Sequence, residues 1–137
     1  MNGKVFLDTN ILIYYSRTDC PDKKQAAAKI IKEYDCVISA QVVNEICSVL
    51  TKKYPTLEKD IKLFLDDLID ICEVVQTSTD LAFLALKLHF KYKTSYYDSL
   101  ILAAALESNS SILYSEDLQH GQVIESSLKI MNPFAEI

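Results

Sequence analysis

Glycine and proline are almost missing from this chain, with two of the first and three of the second in 137 residues. Collagen-like and low-complexity chains need far more of both, and an apolar half of the composition argues against disorder. No apolar run approaches the roughly 20 residues needed to cross a bilayer. The first residues also lack the charged-then-apolar layout of a secretory signal. These absences lead us to expect a soluble, cytoplasmic protein, with residues 1–137 forming one domain. Cysteine is sparse as well. Cys20, Cys36, Cys47 and Cys72 stand far apart, with no C-x-x-C pair and no histidine at zinc-ligand spacing. A disulfide framework and a structural zinc are therefore poor readings. Cys36, Cys47 and Cys72 lie among apolar residues and read as small buried hydrophobes. Finally, positive charge is in deficit: 14 Lys and Arg face 19 Asp and Glu, a net charge of −5. That argues against holding nucleic acid by phosphate neutralisation alone, and leaves open contact with phosphates through a bound cation.

What the chain does have is short apolar runs alternating with helical patterns. Val5-Phe6-Leu7 ends abruptly in Asp8, as suits a strand buried on both faces of a parallel sheet. Asn10 is the expected cap of a short helix, Ile11 to about Ser16. Pro21 suits the first turn of an amphipathic helix reaching about Tyr34, with Ala27, Ile30 and Ile31 inward and Lys23, Lys24, Lys29 and Lys32 in water. Cys36-Val37-Ile38 is a second strand. Ser39 caps a helix from Ala40 to roughly Lys53 whose inward face is Val42, Val43, Ile46, Val49 and Leu50, and Pro55 stops it. A helix from Leu57 to about Ile69 follows, then a strand at Cys72-Glu73-Val74-Val75. Thr77 opens T-x-x-D, the start of a helix ending near Tyr92, and Ser95 opens a similar start for one running through Glu107. The latter is apolar almost all round and hence buried. Ile112-Leu113-Tyr114 is the next strand, with short strands near Gln122–Ile124 and Leu128–Met131 closing the chain. This alternation implies an α/β domain with a mostly parallel sheet, helices on both faces and right-handed crossovers.

Four acids stand where an acid is unexpected. Asp8 ends the first strand, Glu45 borders an apolar helix face, Asp98 opens a buried helix, and Asp117 follows the strand at Ile112–Tyr114. Each has a plain structural alternative: a helix cap for Asp8, a wet flank for Glu45, a capping box for Asp98, a turn for Asp117. Parallel strands would bring Asp8 and Asp117 to one sheet edge, with Glu45 and Asp98 delivered by helices entering there. Carboxylates so gathered repel one another unless a cation is shared, and oxygen ligands suit Mg²⁺ or Mn²⁺. Such ions activate water for displacement at phosphorus, so the pattern points to phosphodiester hydrolysis.

Leu7-Asp8-Thr9-Asn10-Ile11-Leu12, Ser39-Ala40-Gln41-Val42-Val43-Asn44-Glu45, the stretch Tyr97-Asp98-Ser99 to Ala105, and Leu113-Tyr114-Ser115-Glu116-Asp117-Leu118 together resemble the PIN-domain ribonucleases. The likeness is greatest to the VapC-like toxins of toxin–antitoxin systems and covers nearly the whole chain in motif order. It implies a three-layer α/β/α domain with a mostly parallel central sheet. It further implies a Mg²⁺- or Mn²⁺-dependent endoribonuclease acting on RNA such as tRNA or rRNA, a homodimer, and a cognate antitoxin that enters the active-site groove. Carried over by position, the catalytic and metal-binding acids are Asp8, Glu45, Asp98 and Asp117, with Asn10 and Ser115 as supporting polar residues. The Ser115-Glu116-Asp117 motif holds two adjacent acids. Asp117 fits the hydroxyl-x-acid pattern better than Glu116. Whether one metal or two would bind stays open.

Other readings keep the fold and change the role. The domain could process RNA or cut DNA without an antitoxin, or bind RNA or a partner without cutting. A phosphoryl-transfer domain with an aspartyl nucleophile would place a second Asp where this chain has Asn10. Tyr14, Tyr15, Tyr96 and Tyr97 could stack on unpaired bases, although core or dimer contacts are the commoner use of such residues. Lys87, Lys91 and Lys93 read as a solvated helix face, and His89 and His120 have no ligand spacing.

Overall fold

Residues 3–54 and 56–137 are described in the computed structural model, where strands and helices alternate in three layers. The order is β1 (Lys4–Leu7), α1 (Thr9–Ser16), α2 (Pro21–Glu33), β2 (Asp35–Ser39), α3 (Ala40–Lys52) and α4 (Glu58–Ile71). Then come β3 (Cys72–Val75), α5 (Thr79–Tyr92), α6 (Tyr96–Glu107), β4 (Ile112–Tyr114), β5 (Val123–Ile124) and β6 (Leu128–Met131). The sheet order is β3-β2-β1-β4-β6-β5, and every pairing is parallel except β5 with β6.

That order fixes where a crevice must open. From β1 the chain steps to β2 and β3 on one side, then returns through α5 and α6 to place β4 on the other side of β1. Right-handed crossovers put α1 to α4 on one face and α5 and α6 on the opposite face. The packing agrees: α1 meets α2 and α3, α3 meets α4, and α5 lies along α6, which also touches β2 and β4. The step reverses between β1 and β4, and ligands of open α/β sheets gather outside the strand ends at such a reversal.

Central strand β1 is covered on both faces, with Val5, Phe6 and Leu7 at most 1% exposed. Each such side chain contributes about 1.5–3 kcal/mol by leaving water. In α6, Leu100 through Ala105 are all buried, as expected of a helix apolar all round. Its three consecutive alanines let it lie close against its neighbours.

Several expectations needed correction. Asp8, not Asn10, caps α1: its backbone is extended and its carboxylate accepts the Thr9 N–H, so Asn10 lies inside the helix. Ser78, not Thr77, caps α5, accepting the Leu81 N–H at 3.1 Å. Lys23 is not in open water but half-buried across Tyr14, where it pairs with Glu116. Lys24 is likewise half-buried, donating to the Tyr15 carbonyl. Cys36 and Cys72 are buried, Cys47 only partly, and all four cysteines are free thiols. The expected stop at Pro55 falls outside the described residues; α3 itself ends at Lys52. No helix among the described residues is long and apolar enough to cross a membrane.

One turn is held under strain. Between β5 and β6, Glu125 and Ser126 both have left-handed backbone, with φ of 48° and 59°. Tyr92 steadies it by donating its hydroxyl proton to the Glu125 carboxylate at 2.9 Å and accepting the Glu125 N–H at 2.8 Å.

Candidate active site at the sheet's carboxyl edge

The register of β1 against β4 builds the centre of the site. Leu7 pairs with Tyr114, and the ladder continues one step beyond, with the Asp8 N–H donating to the Tyr114 carbonyl at 3.0 Å. Asp8 and Ser115 therefore leave the sheet side by side. The Ser115 hydroxyl donates to Asp8 Oδ2 at 2.8 Å, and the Thr9 N–H donates to Oδ1 at 2.8 Å. Ser115 Oγ also accepts the N–H groups of Asp117 and Leu118 at 3.2 and 3.3 Å, which shapes the turn that carries Asp117.

Asn10 ties this turn to α1. Its amide donates to Asp117 Oδ2 at 3.1 Å, and its carbonyl oxygen accepts the Glu116 N–H at 3.2 Å. The adjacent acids point to different partners. Glu116 is taken by the Tyr14 hydroxyl at 3.0 Å and Lys23 Nζ at 2.6 Å, while Asp117 is held by Asn10.

Glu45 arrives from α3, one and a half turns past its Ser39 cap. Gln41, one turn earlier on the same face, donates to Glu45 Oε1 at 2.9 Å and to the Tyr97 carbonyl at 3.2 Å. It thereby fastens Glu45 to the first turn of α6. Asp98 is the next residue there, its N–H taken by Ser95 Oγ at 3.1 Å. Its own carboxylate makes no hydrogen bond or ion pair among the described residues. A cavity of about 300 Å³ lies between α1, α3 and the turn after β4, lined in part by Asn10, Tyr14, Glu45, Val49, Lys53 and Asp117; Asp98 does not line it.

The electrostatics single out Asp8. It is only 7% exposed, and burial pushes its carboxyl up from the usual 3.8 to about 6. The hydrogen bonds from Ser115 and Thr9 oppose that rise, while the charges of Glu45 and Asp117 add to it. Two of the other three expected acids thus bear on Asp8. Asp98 is not among the charges bearing on Asp8.

The donor set suits a hard cation: every side-chain candidate is an oxygen ligand. Two buried side-chain oxygens bordering the acids, Thr9 Oγ1 and Gln41 Oε1, have no hydrogen-bond partner among the described residues. No three Asp, Glu, His or Cys side chains among those residues converge as a ready-made cage. Mg²⁺ does not require one, because it keeps several waters and takes one or two protein carboxylates.

Sequence reasoning missed Gln41, although its i,i+4 spacing to Glu45 was a usable signal. It also missed the Lys23–Glu116 pair, whose partners lie 93 residues apart. The two histidines serve as backbone contacts: His89 Nδ1 meets the Thr94 carbonyl, and the Asn132 N–H donates to His120 Nδ1.

A family model described as PIN domain matches residues 5–124. The chain belongs to the PIN domain family. Among solved structures it is similar to a toxin–antitoxin complex from Klebsiella pneumoniae, at TM-score 0.69 and 22% identity over 94% of this chain and 97% of that one. It is also similar to VapBC2 from Rickettsia felis bound to a promoter DNA fragment, at TM-score 0.69 and 18% identity over 94% and 99%. VapC20 of Mycobacterium tuberculosis, a Sarcin-Ricin loop cleaving toxin, matches at TM-score 0.66 and 14% identity over 82% and 91%. These likenesses are of fold. No curated protein matches the chain.

Proposed function

We propose that this protein is a metal-dependent endoribonuclease, the toxin of a toxin–antitoxin pair, hydrolysing RNA phosphodiester bonds at the β1–β4 crevice. The observation that carries the reading is Asp8, a nearly buried carboxyl at the sheet's reversal point, facing the charges of Glu45 and Asp117. A structural cap has no need of two further acids.

Asp8, Glu45, Asp98 and Asp117 would hold Mg²⁺ or Mn²⁺, with Asp98 completing the set from α6. When bound, the ion supplies Lewis acidity, offsetting phosphate charge and acidifying the attacking water. The chain's own residues set the geometry. Ser115 and the Thr9 N–H fix both oxygens of Asp8, Asn10 fixes Asp117, and Gln41 fixes Glu45. Such outer partners keep ligand oxygens from turning to solvent. With Glu116 committed to Lys23 and Tyr14, Asp117 is the better last ligand. Several solved structures of similar fold are named as toxin–antitoxin complexes, which supports an antitoxin partner here, and the family resemblance supports a homodimer.

The test is to incubate purified protein with total tRNA and rRNA in Mn²⁺, Mg²⁺ or EDTA. Discrete fragments are expected with either metal and none with EDTA, and Asp98→Asn should abolish cleavage while leaving the circular dichroism spectrum unchanged. Undiminished cleavage in EDTA, or full activity of Asp98→Asn with metal, would refute the reading.

A further inference from the structure

We propose that the hollow between α3 and α6 is a nucleobase subsite, where one base of an unpaired RNA strand stacks on Tyr97. The inference rests on the nuclease reading and adds to it where the substrate lies.

The hollow measures about 570 Å³ and is lined by Gln41, Asn44, Glu45, Ser48, Tyr97 and Leu100, together with Thr77. Glu45 is a wall of both this hollow and the acidic cavity on the other side of α3. A group seated here is therefore next to the proposed scissile phosphate.

Tyr97 is the telling residue. Of the four tyrosines near the motifs, Tyr14, Tyr15 and Tyr96 are partly buried against the core, whereas Tyr97 is 68% exposed. It is not loose: Tyr96 braces it edge to face, with ring centroids 5.5 Å apart, and Gln41 holds its carbonyl. An exposed ring on a fixed backbone is a stacking platform. Around it lie the side-chain amides of Gln41 and Asn44 and the hydroxyls of Ser48 and Thr77. Asn44 is exposed and its amide makes no hydrogen bond among the described residues.

The chemistry of the lining selects the ligand. Among the described residues no lysine or arginine lines the hollow, and the one charged side chain there, Glu45, repels phosphate. An aliphatic side chain would leave the Asn44 amide and Gln41 Oε1 unmatched. A flat, neutral group with donors and acceptors along its edge satisfies both the ring and the amides, and that describes a base splayed out of a single strand.

The test measures binding and cleavage separately. Binding of a fluorescein-labelled single-stranded RNA to the full chain is followed by anisotropy in EDTA, and cleavage kinetics of the same RNA are followed in Mn²⁺. Tyr97→Ala should raise Kd and KM about ten-fold, in the range of one lost base–aromatic stack, with kcat changed less than about two-fold. Tyr97→Phe keeps the ring and should behave as wild type, and Asn44→Ala should alter the preference among A-, C-, G- and U-containing strands. Unchanged Kd and KM in Tyr97→Ala would overturn the subsite. So would Tyr97→Phe as impaired as Tyr97→Ala, or a Tyr97→Ala effect confined to oligomeric state in sedimentation. If wild type binds RNA but cleaves none, the nuclease reading fails while the binding series still decides the subsite.

Discussion

Replacing Asp8 with Asn should remove activity and, in the metal-free protein, raise stability at neutral pH. The magnitude follows from the shift of its carboxyl to about 6. Below about pH 4 the carboxyl is protonated in both folded and unfolded chains, and the site adds no penalty. Between there and about pH 6 the unfolded chain gives up its proton while the folded one keeps it, so stability falls as pH rises. Above that, the folded state carries a buried carboxylate opposed by Glu45 and Asp117, at a cost of roughly 3 kcal/mol. The substituted side chain would still accept the Thr9 N–H, but its amide must donate to Ser115 Oγ, which already accepts two N–H groups. Crowding there takes back part of the gain, leaving about 1–2 kcal/mol, or about 3–8 °C in Tm. The assay is thermal unfolding of both proteins in EDTA at pH 4.5 and pH 7.5. The variant's advantage should be present at the higher pH and shrink at the lower. A variant less stable than wild type at pH 7.5, or one whose advantage is the same at both pH values, would refute the electrostatic account of Asp8. Added Mn²⁺ should reverse the order by stabilising wild type alone.

Gln41→Leu frees Glu45 and cuts its tie to α6, so Mn²⁺ binding should weaken about ten-fold, measured by calorimetry, with little change in Tm. Asn10→Ala unties Asp117 from α1; cleavage should fall at least ten-fold for a loss of about 1 kcal/mol in stability, read from kinetics and urea unfolding. Ser126→Gly relieves a left-handed residue in the β5–β6 turn and should stabilise the protein by about 0.5–1 kcal/mol without affecting RNA cleavage.

The strands and buried helices were legible because each carries its own period: Val5-Phe6-Leu7, Cys36-Val37-Ile38 and the apolar run after Asp98 all lie where their patterns put them. The four acids were legible as residues out of place. What could not be read were choices between equivalent neighbours. Asp8 and Asn10 are both good caps, as are Thr77 and Ser78. For the first pair the choice follows from the alignment of Leu7 with Tyr114, which no local window contains. Glu116 and Asp117 differ only in where the turn aims them, and Lys23, far away in sequence, claims Glu116. Tyr97 shares its flanking sequence with Tyr96, yet only the folded chain shows that one is packed and the other open to water.

The bond between Ser115 and Asp8 spans 107 positions of chain. A ribosome adds about 5–20 residues each second, so Asp8 waits some seconds for the strand that completes its surroundings. Until then β1 has β2 beside it but lacks Ser115, Asp117 and the far wall of the crevice. A truncated or stalled product ending before β4 carries Asp8, Glu45 and Asp98 without the turn that sets Asp8 in place. The order of strands in the sheet thus acts as a timer: the surroundings of Asp8 are complete only once Ser115 and the turn after β4 have been made.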